Sequence, residues 1–120
     1  MSAVAFQLEK ITRENENYIQ IISSTQNMQI VLMSLPKNDR IPFERYPKSD
    51  QMIRLEKGDL SVVLGDENHE MIYDLKSGDS ITIPRNTRHG VFSKKGAKMY
   101  VIYSPPNKKI TNTKFQPVFK

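Results

Sequence analysis

Cysteine is absent from this 120-residue chain. Disulfides, thiolate metal sites and a cysteine nucleophile are therefore excluded, and a reducing compartment such as the cytoplasm is allowed. No window approaches the roughly 20 apolar residues of a membrane-spanning helix. Met1–Lys10 lacks the apolar core of a secretion signal. These absences lead to the expectation of a cytoplasmic protein with no membrane partner. A glycine-rich phosphate loop and a G-x-S-x-G nucleophile elbow are also missing. Histidine occurs twice, at His69 and His89, and not at the spacing of a zinc-binding helix. No pair of carboxylates is singled out for glycosidase chemistry. Internal repeats and low-complexity segments are not found.

What is present fits one domain of modest core: 38% apolar residues, 26% charged residues and a mean hydropathy of −0.55. The net charge is +5, carried late in the chain by lysines such as Lys94, Lys95, Lys98, Lys108 and Lys109. No aromatic residues alternate with them as a stacking platform requires. Nucleic acid is therefore not an expected partner, and weak association through the basic surface stays only as an alternative.

Short apolar runs rich in Ile, Val and Tyr dominate from residue 18 onward. They are Tyr18–Ile22, Met28–Leu35, Gln51–Glu56, Leu60–Leu64, Glu70–Leu75, Ser80–Ile83, His89–Ser93 and Lys98–Tyr103. Their length and composition are those of strands. Connectors such as Lys57-Gly58-Asp59 and Lys76-Ser77-Gly78-Asp79 read as hairpin turns. The fold class predicted is all-β, a small antiparallel barrel or jelly roll of about eight strands. The chain divides into an arm (1–17), a barrel (18–106) and a tail (107–120). The arm holds a short helical pattern with Thr12 as its start. Pro105-Pro106 ends the last strand. The tail is expected to wrap back, if at all, through Phe115, Val118 and Phe119.

Strand parity brings polar side chains together. Glu44 and Tyr46, two residues apart, project from one face. Gln51 comes alongside on the next strand, and His89 opens a later strand after the turn at Pro84. Ile53, Val91, Tyr100 and Ile102 are the expected walls of the same pocket. Arg54 alternates away from Gln51, toward the outside of the barrel, and His69 beside the Asn68 turn is exposed. Asp50 is expected to cap the loop before its strand. Each residue also has a plainer reading: Glu44 pairing with Arg40 or Arg45, Tyr46 filling the core, Gln51 satisfying backbone groups, His89 buried after a turn.

The spacing resembles the cupin superfamily. Glu44 and Tyr46 take the places of its first two histidines, with four residues before Gln51 and six more before Gly58. In the second motif Gly78, Pro84 and His89 match, while Asn86 stands for a glycine and Ser93 for an asparagine. A group of small single-domain cupins is closer still, through Glu44-Arg45-Tyr46-Pro47-Lys48-Ser49-Asp50-Gln51 and Tyr100-Val101-Ile102-Tyr103-Ser104-Pro105-Pro106. The resemblance implies a barrel-mouth pocket for a small molecule, such as a sugar or metabolite. It leaves open a divalent metal (Fe, Mn, Zn or Ni) held by Glu44, Gln51 and His89, with Tyr46 in a histidine place. Without metal, Glu44 and His89 would form the catalytic acid/base pair, with Tyr46 a second proton donor. A non-catalytic ligand-binding or structural barrel is the alternative. Apolar character on both faces of Tyr18–Ile22 and Met28–Leu35 suggests a homodimer.

Overall fold

Apolar side chains alternate along Asp50–Leu64, and the whole segment is one strand rather than two. Gln51, Ile53 and Leu55 face inward in its first half, and Leu60 and Val62 in its second. The parity flips at a bulge between Leu55 and Lys57. Gly58, at φ +93°, carries the bend. Lys57-Gly58-Asp59 is thus a kink inside a strand and not the hairpin turn expected, because a positive-φ glycine serves a bulge as well as a turn.

The computed structural model describes residues 3–115. Helix α1 spans Leu8–Glu14, and the strands are β1 (Ile19–Ser24), β2 (Gln29–Leu35), β3 (Asp39–Glu44), β4 (Asp50–Leu64), β5 (Met71–Lys76), β6 (Ser80–Ile83), β7 (His89–Ser93) and β8 (Ala97–Ser104). All pairings are antiparallel. The first half of β4 lies between β8 and β6, in a sheet continued by β2 and β1. Its second half lies between β5 and β7, in a sheet continued by β3. One curled eight-stranded sheet results. Its inward residues form the core, with Val31, Leu55, Leu60, Val62 and Met99 each no more than 1% exposed.

Helix α1 begins at Leu8, not at Thr12. Thr12 is fully buried in the helix interior, where its hydroxyl donates to the Leu8 carbonyl. The helix docks on the outer face of the sheet. There Glu56, buried, meets Arg54 Nε at 3.3 Å and Arg13 at 3.5 Å, and Arg54 also reaches Glu9 at 3.9 Å. Arg54 does point away from the cavity, and its ion pairs are with Glu56 of its own strand and Glu9 of the helix. Leu32, on the outer face of β2, is only 3% exposed. The apolar excess of β2 is therefore covered within the chain. Large exposed apolar side chains sit at Met28 just before β2, at Met71, Ile72 and Tyr73 on β5, and at Phe43 and Phe92.

The tail returns across β1 through Ile110 and Thr113, with an isolated Ile19–Thr113 bridge and a hydrogen bond from the Ile21 N–H to Asn112 Oδ1. Phe115 is 78% exposed. Val118 and Phe119 lie outside the described residues.

Candidate functional site

β3 ends at Glu44, and Tyr46 lies just beyond it in the loop to β4. Glu44 sits opposite His89, the first residue of β7. Gln51 sits on β4 beside Tyr103 of β8. All four side chains anticipated from the sequence border one cavity of about 370 Å³, within the range of small-molecule sites.

Two polar pairs occupy its floor. The Tyr46 hydroxyl donates to Glu44 Oε2 at 2.7 Å. Gln51 Nε2 lies 3.1 Å from His89 Nε2, and His89 Nδ1 lies 2.9 Å from the Thr87 carbonyl oxygen. That carbonyl can only accept, so Nδ1 carries the hydrogen and Nε2 accepts from the Gln51 amide. The Tyr46 and His89 rings lie 5.2 Å apart, and Tyr46 meets Tyr103 edge-on at 5.8 Å. Arg45, one of the suggested partners of Glu44, pairs instead with Asp66 at 2.9 Å.

The turn before His89 is held from both sides. Asn86 has φ +61° and its N–H donates to the Tyr46 carbonyl. Asn tolerates that left-handed conformation, which is why it can stand for glycine here. Asp50 Oδ1 accepts from the Arg85 N–H at 2.8 Å. Asp50 therefore ties down the Pro84–Arg88 turn rather than the loop before its own strand. His69 is exposed, as expected, and lies outside the site.

The walls differ in part from expectation. Ile53 and Val91 line the cavity, but Tyr100 and Ile102 do not. On β8 the buried, inward residues are Met99, Val101 and Tyr103, the opposite parity. Tyr18, immediately before β1, and Lys109 and Ile110 of the tail also border the cavity and were missed. Tyr103 was recoverable in principle, since it pairs with Gln51 once β8 is set against β4. Nothing local in the sequence marks Lys109 or Ile110.

Three phenols share this space, and all are held neutral. Burial pushes Tyr18 up to about 12, with the Glu44 and Asp39 charges adding to it. Burial, then Tyr103 and the bond to Glu44, raises Tyr46 far above its usual range. Burial, then the Glu44 charge, raises Tyr103 as well.

The donor set fits poorly with a resident divalent ion. It offers one carboxylate and one imidazole, and the imidazole lone pair is taken by Gln51. A phenol held protonated is a weak ligand. Among the described residues no group of three His, Asp or Glu side chains is placed to hold a metal.

Residues 31–103 match the family model of the cupin domain, and the chain belongs to that family. It is 37% identical over 97 residues to the uncharacterized protein L612 of Acanthamoeba polyphaga mimivirus, covering 78% of this chain and 60% of L612. It is 29% identical over 104 residues to the uncharacterized protein YrkC of Bacillus subtilis, covering 83% of this chain and 56% of YrkC. The chain thus spans less than two thirds of either relative. Among solved structures, BH2720 from Bacillus halodurans superposes with a TM-score of 0.86 at 25% identity, covering 93% of this chain and 86% of that one. Among the described residues no helix is long and apolar enough to cross a membrane.

Proposed function

We propose that the barrel binds a small organic molecule in the cavity of Glu44, Tyr46, Gln51 and His89, without a resident metal ion. The observation that carries this reading is the cavity itself. Apolar walls enclose a few convergent polar groups, and those groups satisfy one another rather than gathering lone pairs on a central point. A small polar guest would exchange these bonds for its own at little cost, which a rigid ion centre would not permit.

A second reading, catalysis, is favoured by one contact. Tyr46 and Glu44 at 2.7 Å form a donor and an acceptor at the cavity wall, able to give and take a proton from a bound guest. His89 is the weaker member of the expected acid/base pair, since both ring nitrogens are engaged. The seat we propose for a second copy of the chain is β5, where apolar side chains are exposed, rather than β1 and β2.

The test is a screen of small fragments by NMR, reading the ring resonances of Tyr18, Tyr46 and Tyr103 with and without EDTA. Binding that perturbs these rings and survives the chelator is the expected result. Binding that vanishes with EDTA and returns with zinc, nickel or manganese would overturn the metal-free reading.

A further inference from the structure

Glu44 brings a carboxylate to the cavity, and among the described residues no cation pairs with it. Its one hydrogen bond comes from a neutral phenol. His89 donates through Nδ1 to Thr87 and accepts at Nε2, so it too is neutral in this arrangement. A carboxylate partly withdrawn from water gains most from a positively charged guest.

The surroundings of Glu44 favour one kind of cation. Tyr18, Tyr46 and Tyr103 all line the cavity, the last two standing at an interplanar angle of 87°. A cavity bordered by aromatic rings and a carboxylate suits an organic ammonium, which is attracted to ring faces and carries its charge on a diffuse, easily desolvated surface. The remaining wall of Met33, Ile53, Val91 and Met99 accepts an alkyl portion. Glu44 also helps to hold all three phenols in their neutral form, so the local potential disfavours an anionic guest.

We propose that the molecule bound in this barrel carries an organic ammonium group, seated between Glu44 and the rings of Tyr18, Tyr46 and Tyr103. This rests on the small-molecule reading above and narrows it to a ligand class. One internal rival exists. Among the described residues Lys109, which is exposed, is the one lysine bordering the cavity, and no ion pair joins it to Glu44. If it swung inward it would occupy the place claimed for the guest.

Three probes separate the possibilities: choline, its size-matched neutral isostere 3,3-dimethylbutan-1-ol, and acetate as a smaller anion. Calorimetric titration of the full chain should show choline binding about tenfold or more tighter than the alcohol, and no acetate binding. Glu44→Gln should remove that preference, so that choline and the alcohol bind the variant equally. Tyr18→Phe, which keeps the ring, should bind choline as wild type does, and Tyr18→Leu should not. Lys109→Gln should leave choline binding unchanged or tighter. Should a variant fail to fold, the comparison of choline with the alcohol on the wild-type chain still decides. Equal binding of the two, or preference for acetate, overturns the ammonium assignment and leaves the small-molecule pocket standing. Displacement of choline by stoichiometric zinc or manganese overturns it in favour of a metal. If no fragment of any charge perturbs the tyrosine resonances, the pocket reading fails first and this one with it.

Discussion

Tyr46 stands where the resemblance would place a metal-ligating histidine, and its ring lies 5.2 Å from that of His89. Replacing it by histidine would set a second imidazole beside the first and release Glu44 from its phenol. Tyr46→His should therefore gain affinity for zinc or nickel, seen as a metal-dependent rise in melting temperature that wild type lacks. No rise in the variant would mean that Glu44, Gln51 and His89 do not share a common centre. The phenols supply a second prediction. Their folded-state pKa values are raised above the ordinary 10.0, to about 12 for Tyr18. The unfolded chain then sheds phenolic protons first as pH rises. Stability is fully present below pH 10 and falls progressively between 10 and about 12. Melting curves across that range should show the loss, and Tyr18→Phe should flatten part of it. At this scale Glu44, Gln51 and His89 were legible because they sit at strand ends or on one inward face. Tyr18 and Tyr103 were not, because their place depends on β8 lying between β2 and β4, a pairing between distant segments.

Among the elements, β4 shows most plainly what a sequence pattern leaves undecided. Two apolar runs with opposite parity and a glycine between them describe a hairpin and a bulged strand equally well. Only the partners on either side select the strand. The choice has a measurable signature. A Cβ built on Gly58 would lie 1.8 Å from the Gly96 carbonyl oxygen, whereas one on Gly78 meets nothing within 4 Å, although both residues have positive φ. Gly78→Ala should cost on the order of 1 kcal/mol, the usual penalty for a left-handed alanine. Gly58→Ala should cost about 3 kcal/mol or more, because two backbones must part as well. Urea denaturation of both variants checks this, and equal losses would put Gly58 in an open turn. The helix was misplaced for a related reason. A threonine is a good N-cap in isolation, but here the helix packs on β8 and β4 with Thr12 buried inside it, and its first turn lies at Leu8.

At the scale of the molecule, exposed apolar surface lies on β5, which among the described residues pairs with β4 along one side only. Met71 and Ile72 are 59% and 65% exposed. An antiparallel pairing of two β5 strands centred on Tyr73 would set Glu70 opposite the partner's Lys76, although Glu70 also holds Arg88 at 3.1 Å. We expect two copies to meet there. Ile72→Lys should shift the mass measured by light scattering from dimer to monomer, and a wild-type mass of 13.9 kDa at high concentration would refute it. The overall barrel was legible from strand lengths and spacing, since alternation and turn residues are local. The face that would meet a partner was not, because β2's apolar excess is absorbed by the chain itself.

The long strand β4 pairs with β5, β6, β7 and β8, and β2 pairs with β8 from near the other end of the chain, Val31 against Val101. Among the described residues only β1–β2 and β4–β5 pair strands adjacent in sequence, and every other pairing joins segments separated by at least one strand. The consequence is one of time. The loop-closure entropy of bringing β8 against both β2 and β4 must be met before either pairing offers its reward. Refolding followed by stopped-flow fluorescence of the tyrosines should fall in the millisecond-to-second class of non-local β-proteins, on the order of a thousandfold slower than helical bundles of this size. Substitutions at the β4–β8 seam, such as Ile53→Val opposite Val101, should slow folding more than they speed unfolding.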